Sequence, residues 1–318
     1  MNHRCAALSS ILIVSWNVAF AAHAAAPPFT RTEDIIYGRK YGTALTLDVF
    51  TPQRDANGAA VVFVVSGGWF SAHEAIHVDV FAEYLNRGYT VVPVVHGSQP
   101  KYTIPEAIDD MHRAVRFLRH RAKDYRIDPE RIGITGGSAG GHLSLIIATA
   151  GRPGDPNARD PVDRESSRVQ AVGCFFPPTD FLNYGETGRD VFKALDAELA
   201  AFRAPFDFHE LDPGTKQFVL IRERERRLRI AREISPITHV TPDDPPTLII
   251  HGDADKLVPI QQSEAMCRKL EECRVPARLV VRPGAGHGWA DWIRDVALIA
   301  DWFDAHLAKR GSATRAAR

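Results

Sequence analysis

The chain has 318 residues, 45% hydrophobic and 25% charged, the balance of a globular protein with ample material for a core. Lys plus Arg and Asp plus Glu both number 39, so there is no basic surplus of the kind a nucleic-acid partner requires. Balanced charge and ordinary apolar content also argue against disorder.

In chain order, residues 1–24 read first, as a secretory signal. Arg4 precedes an apolar stretch from Cys5 to Ala22, and Ala22-His23-Ala24 forms a small-x-small site with cleavage expected before Ala25. Ser9, Ser10, Ser15 and Asn17 interrupt the stretch, which is marginal against the ~20 apolar residues of a membrane span. A secreted or periplasmic protein with no stable membrane anchor is therefore expected. Cleavage removes Cys5 and leaves Cys174, Cys267 and Cys273, an odd number. Cys267 and Cys273 can pair only if the helix carrying Cys267 ends before Cys273. Their spacing is not that of a metal site.

Leu45 to Pro52 alternates as a half-buried strand and leads to turn chemistry at Asp55-Ala56-Asn57-Gly58. Val61 to Val65 is a continuous β-branched run, the mark of a strand buried on both faces. Val78 to Arg87 reads as a helix stopped by Gly88, and Val91 to Val95 as a strand in which Pro93 predicts a bulge or irregularity. Ile104, Ile108, Met111, Val115 and Leu118 recur at helical spacing. A short strand at Ile132 to Thr135, a helix at Ala139 to Thr149 and a strand at Val169 to Phe176 follow. After a gap come a strand (Thr247 to His251), a helix (Ile260 to Glu272), a strand (Ala277 to Val281) and a last helix (Trp292 to Leu307).

This alternation predicts an α/β fold over residues 32–309, a mostly parallel sheet with helices on both faces and its working loops at the strand C-terminal ends. Residues 310–318 read as a disordered tail. Phe181 to Ser235 contains no strand-like run and sits where a helical cap would be inserted, at about 181–235. Its segment Arg222 to Ile234 is dense in both charges and predicts a solvated helix with internal ion pairs.

Three strand ends carry chemistry. Gly136-Gly137-Ser138-Ala139-Gly140 lies between a strand and a helix, a context in which the serine hydroxyl is exposed on a tight turn beside a helix N-terminus. A nucleophilic serine needs a base and a group that orients the base. His287, in the Gly-rich loop after the last strand, fits the base. Asp253 and Asp255 are close candidates for the acid, and Asp180 is a third; capping a turn is the commoner role for such residues. Oxyanion donors are expected from the N–H groups of Ala139 and of Gly67 and Gly68 in the loop after Val65.

Together these segments resemble the α/β-hydrolase superfamily, in particular the bacterial feruloyl-esterase-like (BD-FAE-like) and hormone-sensitive-lipase-like esterases. LTLDVFTP, SGGWFS, IPEAIDDMHRAVRFLR, DPERIGITGGSAGGHL, HGDADKLVP and PGAGHGW carry the likeness from about Asp34 to Leu307. The resemblance implies a Ser138–Asp255–His287 triad and an ester hydrolase that needs no cofactor or metal. The cap and the secretory signal favour a small-molecule or polymer-borne ester met outside the cytoplasm, on an acylated carbohydrate or an aromatic ester. The HGGG loop of such proteins is matched only in part, with Val65 in place of the His and Ser66 in place of the first Gly. His96-Gly97-Ser98 stands where relatives often carry Tyr-Arg-Leu, so His96 either replaces that packing or lines the pocket. Trp69, Trp289 and Trp292 are pocket or core aromatics, and His142 reads as a buried structural residue. Two other functions share the motifs: a prolyl-oligopeptidase-like peptidase and an inactive hydrolase fold used for binding.

Overall fold

The structure, a computed structural model, describes residues 29–308, so the expected signal segment and tail lie outside the described residues. The elements in chain order are β1 (Phe29–Lys40), β2 (Thr43–Pro52), β3 (Ala60–Val65), α1 (Ala82–Asn86), β4 (Thr90–Val95), α2 (Ile104–His120), β5 (Ile132–Gly137) and α3 (Ala139–Thr149). Next come β6 (Ala171–Phe175), α4 (Val191–Leu195), β7 (His209–Leu211), β8 (Phe218–Leu220), α5 (Arg224–Glu233), β9 (Thr247–Gly252), α6 (Gln261–Glu272), β10 (Ala277–Arg282) and α7 (Val296–His306).

Eight strands form one sheet in the order β1-β2-β4-β3-β5-β6-β9-β10. From β4 to β10 every pairing is parallel, while β1 and β2 are antiparallel additions at one edge. The almost wholly buried strands β3, β5 and β6 occupy the centre, covered on both faces. One core joins the sheet to α2, α3, α6 and the inserted segment; a second joins it to α1 and α7. Thr103 and Glu106 close a capping box on α2. Gly88 ends α1 with φ +79°, and a Cβ there would lie 2.1 Å from the Asp55 carbonyl oxygen.

The sequence did not announce β1. It is an edge strand, mostly exposed and broken by two register shifts, so it carries no buried alternation. Pro93 does not bulge β4. The ladder to β3 runs unbroken through the Phe63–Pro93 pair, and the irregularity falls on the other side, where only Leu47–Val94 and Phe50–Val91 pair with β2.

The segment 181–235 departs from expectation in two ways. It contains the β7–β8 hairpin, whose three-residue strands are too short to show a period. The charged helix α5 is solvated, with only Ala231 buried, but its ion pairs reach outward rather than along the helix: Arg226 to Glu210 on the hairpin and Arg224 to Asp190, the N-cap of α4, at 2.7 Å. Arg227 lies 4.0 Å from the centre of the Phe192 ring. Tertiary contacts therefore use the charges to fasten this segment to itself.

Cys174, Cys267 and Cys273 are all free thiols, although α6 does end before Cys273. No helix among the described residues is long and apolar enough to cross a membrane.

Candidate active site

Ser138 occupies the turn between β5 and α3 with φ 53° and ψ −119°, a conformation that costs a non-glycine residue on the order of 1–3 kcal/mol. Its neighbours hold it there. The Ser138 N–H donates to the Phe175 carbonyl at 2.9 Å, and the Ser138 carbonyl accepts from the His142 N–H at 2.9 Å. The turn closes only because Gly136 and Gly140 lack side chains: a Cβ on Gly136 would lie 2.6 Å from the Gly140 carbonyl carbon, and one on Gly140 would lie 2.8 Å from the Val64 carbonyl oxygen.

The His287 ring meets this serine from the loop after β10, with Nε2 at 2.9 Å from Ser138 Oγ. Its Nδ1 is 2.7 Å from Asp255 Oδ2, in the loop after β9. A carboxylate can only accept, so Nδ1 carries the proton and Nε2 is left to accept from the serine hydroxyl. Phe176 packs against the His287 ring with centroids 4.5 Å apart.

Asp255 is itself fixed by four donors. Oδ1 accepts from the Leu257 and Val258 N–H groups at 2.9 and 3.0 Å, and Oδ2 is shared by His287 and by His251 Nε2 at 3.2 Å. Burial opposes ionisation of Asp255, but hydrogen bonds from His251, His287 and Val258 outweigh it and hold the carboxyl far below the usual range. The fully buried His251 was missed as a functional residue from the sequence. Its Nε2 also donates to the Val258 carbonyl at 2.9 Å, which fixes the tautomer, and its Nδ1 accepts from Ser263 Oγ at 2.6 Å. The available signal was its place at the end of β9, four residues before Asp255.

The other acid candidates do not join this chain of contacts. Asp253 caps the turn before His287, accepting from the Gly284 N–H at 2.6 Å. Asp180 accepts from the N–H groups of Leu182 and Asn183 at 2.9 and 3.2 Å and from Asn183 Nδ2 at 2.8 Å.

The loop after β3 runs beside the serine because β3 pairs directly with β5. Of its two expected donors, the structure corrects one: the Gly67 N–H is spent on the Phe70 carbonyl at 3.0 Å, in a small turn closed by the return bond from the Phe70 N–H to the Gly67 carbonyl at 2.9 Å. The Gly68 and Ala139 N–H groups have no partner among the described residues. Gly68 has φ +55° and Trp69 φ +59°, so two successive left-handed residues shape the loop. Gly68 lines a cavity of about 30 Å³ with Ser138 and Trp69, roofed by Leu199, Phe202 and Phe206.

Trp69 is thus a pocket residue, while its Nε1–H donates to His142 Nδ1 at 3.2 Å. His142 is fully buried and its Nε2 donates to the Ile234 carbonyl at 2.7 Å. Two expected pocket residues lie elsewhere. Trp289 packs edge-on against Phe176 and donates to Asp295 at 2.9 Å. His96 is 2% exposed and turned towards the loop after β3, because its ring finds hydrogen-bond partners in Ser66 and the Gly97 carbonyl.

A larger polar cleft of about 450 Å³, with Arg152, Arg168, His239 and Asp243 in its walls, lies at the opposite end of α3 from Ser138. The one group of ligand atoms close enough for a cation, among the described residues, is Asp34, Asp48 and His73 within 4.8 Å. Arg31 already neutralises Asp48 there, at 2.6 Å.

A serine on a left-handed strand-to-helix turn, a histidine after the last strand and an aspartate after the strand before it, on this sheet order, define an α/β-hydrolase. The chain belongs to the BD-FAE family, which matches residues 47–270. It is 30% identical over 243 residues to a probable carboxylic ester hydrolase, LipM, of Mycobacterium tuberculosis, covering 75% of this chain and 51% of LipM. Esterase LipQ of the same organism is 28% identical, with 76% of this chain and 53% of LipQ covered. The chain thus spans about half the length of these curated relatives. Among solved structures, a truncated carbohydrate esterase from gut microbiota is similar, at TM-score 0.66 and 26% identity over 87% of this chain and 96% of that one.

Proposed function

We propose that this protein is a serine hydrolase of carboxylic esters. The observation that carries the reading is the continuous relay from Ser138 through His287 to Asp255, with contacts of 2.9 and 2.7 Å. In this mechanism His287 takes the Ser138 proton as the hydroxyl oxygen attacks the ester carbonyl. Asp255 holds the tautomer and stabilises the imidazolium. The Gly68 and Ala139 N–H groups receive the developing oxyanion, a role worth ~10²–10³ in rate per donor. His287 then protonates the departing alcohol, and water, activated by the same histidine, releases the acyl group from Ser138.

The small cavity beside Ser138 points to short acyl groups. About 30 Å³ holds two or three water-sized groups, the size of an acetyl or propionyl chain. The likeness to a carbohydrate esterase supports a sugar as the alcohol. Residues 1–24 support export, so the enzyme would meet its substrate in the periplasm or outside the cell.

The test is fluorophosphonate labelling followed by peptide mapping. We expect one adduct, on Ser138, and its loss together with ester hydrolysis in S138A. A folded protein that takes no label would refute the reading. Cleavage of acyl-peptide anilides in preference to esters would replace it with the peptidase reading, which draws on 24% identity over 82% of this chain to acylamino-acid-releasing enzyme 1 of Oryza sativa.

A further inference from the structure

We propose that His96 and Ser66 form a positioning pair that sets the oxyanion loop, with His96 acting through the Ser66 hydroxyl on the Gly68 N–H. The inference rests on the ester-hydrolase reading and adds residues that touch neither substrate nor Ser138.

Ser66 lies between the last residue of β3 and Gly67-Gly68. Gly67 has open space around its Cβ position, and Gly68 and Trp69 are both left-handed, at φ +55° and +59°. The peptide plane before Gly68 is held on its carbonyl side by the Phe70 N–H at 2.9 Å, so the Gly68 N–H points wherever the turn from Gly67 to Phe70 carries it. The residue that leads the chain into that turn, and so sets how the turn sits against the serine, is Ser66. Its Oγ lies 2.8 Å from His96 Nε2. On its other side, Ser66 packs on the first turn of α3: a Cβ on Gly140 would lie 3.5 Å from the Ser66 carbonyl oxygen and 3.7 Å from the Ser66 Cβ. Ser66 is thus clamped between His96 and the helix that carries the second donor, Ala139.

His96 is rigid enough to serve as the fixed side of the clamp. Its Nδ1 faces the Gly97 carbonyl at 2.9 Å, and a carbonyl can only accept, so Nδ1 holds the proton. Nε2 is then a pure acceptor and the Ser66 hydroxyl donates to it. Burial favours this neutral ring, lowering the His96 pKa to about 4. The His96 N–H donates to Ser71 Oγ at 3.2 Å, and Ser71 Oγ donates to the Val65 carbonyl at 2.5 Å, which ties the other end of the same loop. The Gly97 N–H donates at 2.8 Å to Asp110 Oδ2, which Lys40 also holds at 2.7 Å. A chain of contacts therefore runs from Lys40 on β1 and Asp110 on α2 to the residue before the glycines. Every link depends on a side chain, so each can be removed separately.

The experiment is a double-mutant cycle with S66A and H96F in the full-length enzyme. S66A deletes one oxygen at a half-buried loop position, and H96F keeps an aromatic ring, somewhat larger, without the acceptor. We expect each to lower kcat for p-nitrophenyl acetate about tenfold, a fraction of the loss from deleting a donor outright, with KM changed less than twofold. The affinity for an acetyl trifluoromethyl ketone, which forms the tetrahedral adduct, should fall in parallel with kcat/KM. The double variant should be no slower than the worse single one, because the two residues act through one bond. H96Q, which restores a polar atom near the Nε2 position, should recover part of kcat. Wild-type kcat in S66A, or losses that simply add in the double variant, would overturn the pairing. A wild-type protein with no esterase activity and no fluorophosphonate adduct would overturn the underlying reading instead, so the two failures are told apart.

Discussion

The assignment of Asp255 over Asp253 makes a sharp prediction, because the two residues are two apart and differ entirely in what they hold. In D255N the amide oxygen can still accept from Leu257 and Val258. The amide NH₂ then faces His287 Nδ1–H and His251 Nε2–H, now 2.7 and 3.2 Å away; His251 keeps the Val258 carbonyl as an acceptor, but the His287 Nδ1 proton is left with none. His287 relieves the conflict by changing tautomer, which puts the proton on Nε2 and removes the base for Ser138. Loss of the correct tautomer is worth ~10⁴ in kcat, or about 5.5 kcal/mol of barrier. In D253N an exposed side chain keeps an acceptor for the Gly284 N–H, and the loss should stay within about threefold. The assay is kcat for p-nitrophenyl acetate, with circular dichroism confirming that both variants fold. Equal damage from the two substitutions, or a D255N enzyme within tenfold of wild type, would refute the reasoning.

Three further outcomes are expected. Phe202 touches the Cβ position of Gly68 at 3.1 Å, so F202A should enlarge the acyl pocket and raise the butyrate-to-acetate ratio of kcat/KM by about tenfold; an unchanged ratio in a chain-length series would rule out Phe202 as the limiting wall. G140A should reduce kcat by at least about 100-fold, since its methyl would press on the Val64 carbonyl and displace the turn that presents Ser138; near-normal turnover would show that the turn tolerates bulk. Stability should fall as pH drops from 6.5 towards 4. Burial holds His96 and His142 at about 4 and His112 at about 3, so the unfolded chain takes up protons first, and each residue forfeits about 3 kcal/mol across that window. Asp110, raised to about 6 by burial, acts in the opposite sense and offsets about one of the three. Urea midpoints at pH 7 and 4.5 read the difference directly, and H142Q should flatten it; a pH-independent midpoint would contradict the neutral buried rings.

Much of this architecture is local and was therefore legible. Continuous apolar runs marked the central strands, because a strand buried on both faces has no polar positions to show. The glycines around Ser138 could be read because a turn that tight excludes a Cβ whatever surrounds it. The order serine, acid, histidine followed from strand ends, which any parallel sheet gathers along one edge, while Asp255 as the acid was what the family resemblance implied. β1 and the β7–β8 hairpin were not legible, since exposed or three-residue strands bury too little to leave a period.

Tertiary structure decided the rest, through contacts between distant parts of the chain. Ser138 and His287 meet across 149 residues, and His96 and Ser66 across 30, so no local pattern could pair them. Three aspartates were chemically equivalent as acids until loop geometry turned Asp253 and Asp180 onto neighbouring backbone N–H groups. Gly67 and Gly68 were equivalent donors until a four-residue turn consumed the Gly67 N–H. The charges of α5 predicted a solvated helix but not that they fasten it to the hairpin and to α4. Sequence sets which groups exist and which backbone conformations they permit; the direction in which each group points is set by whatever packs against it.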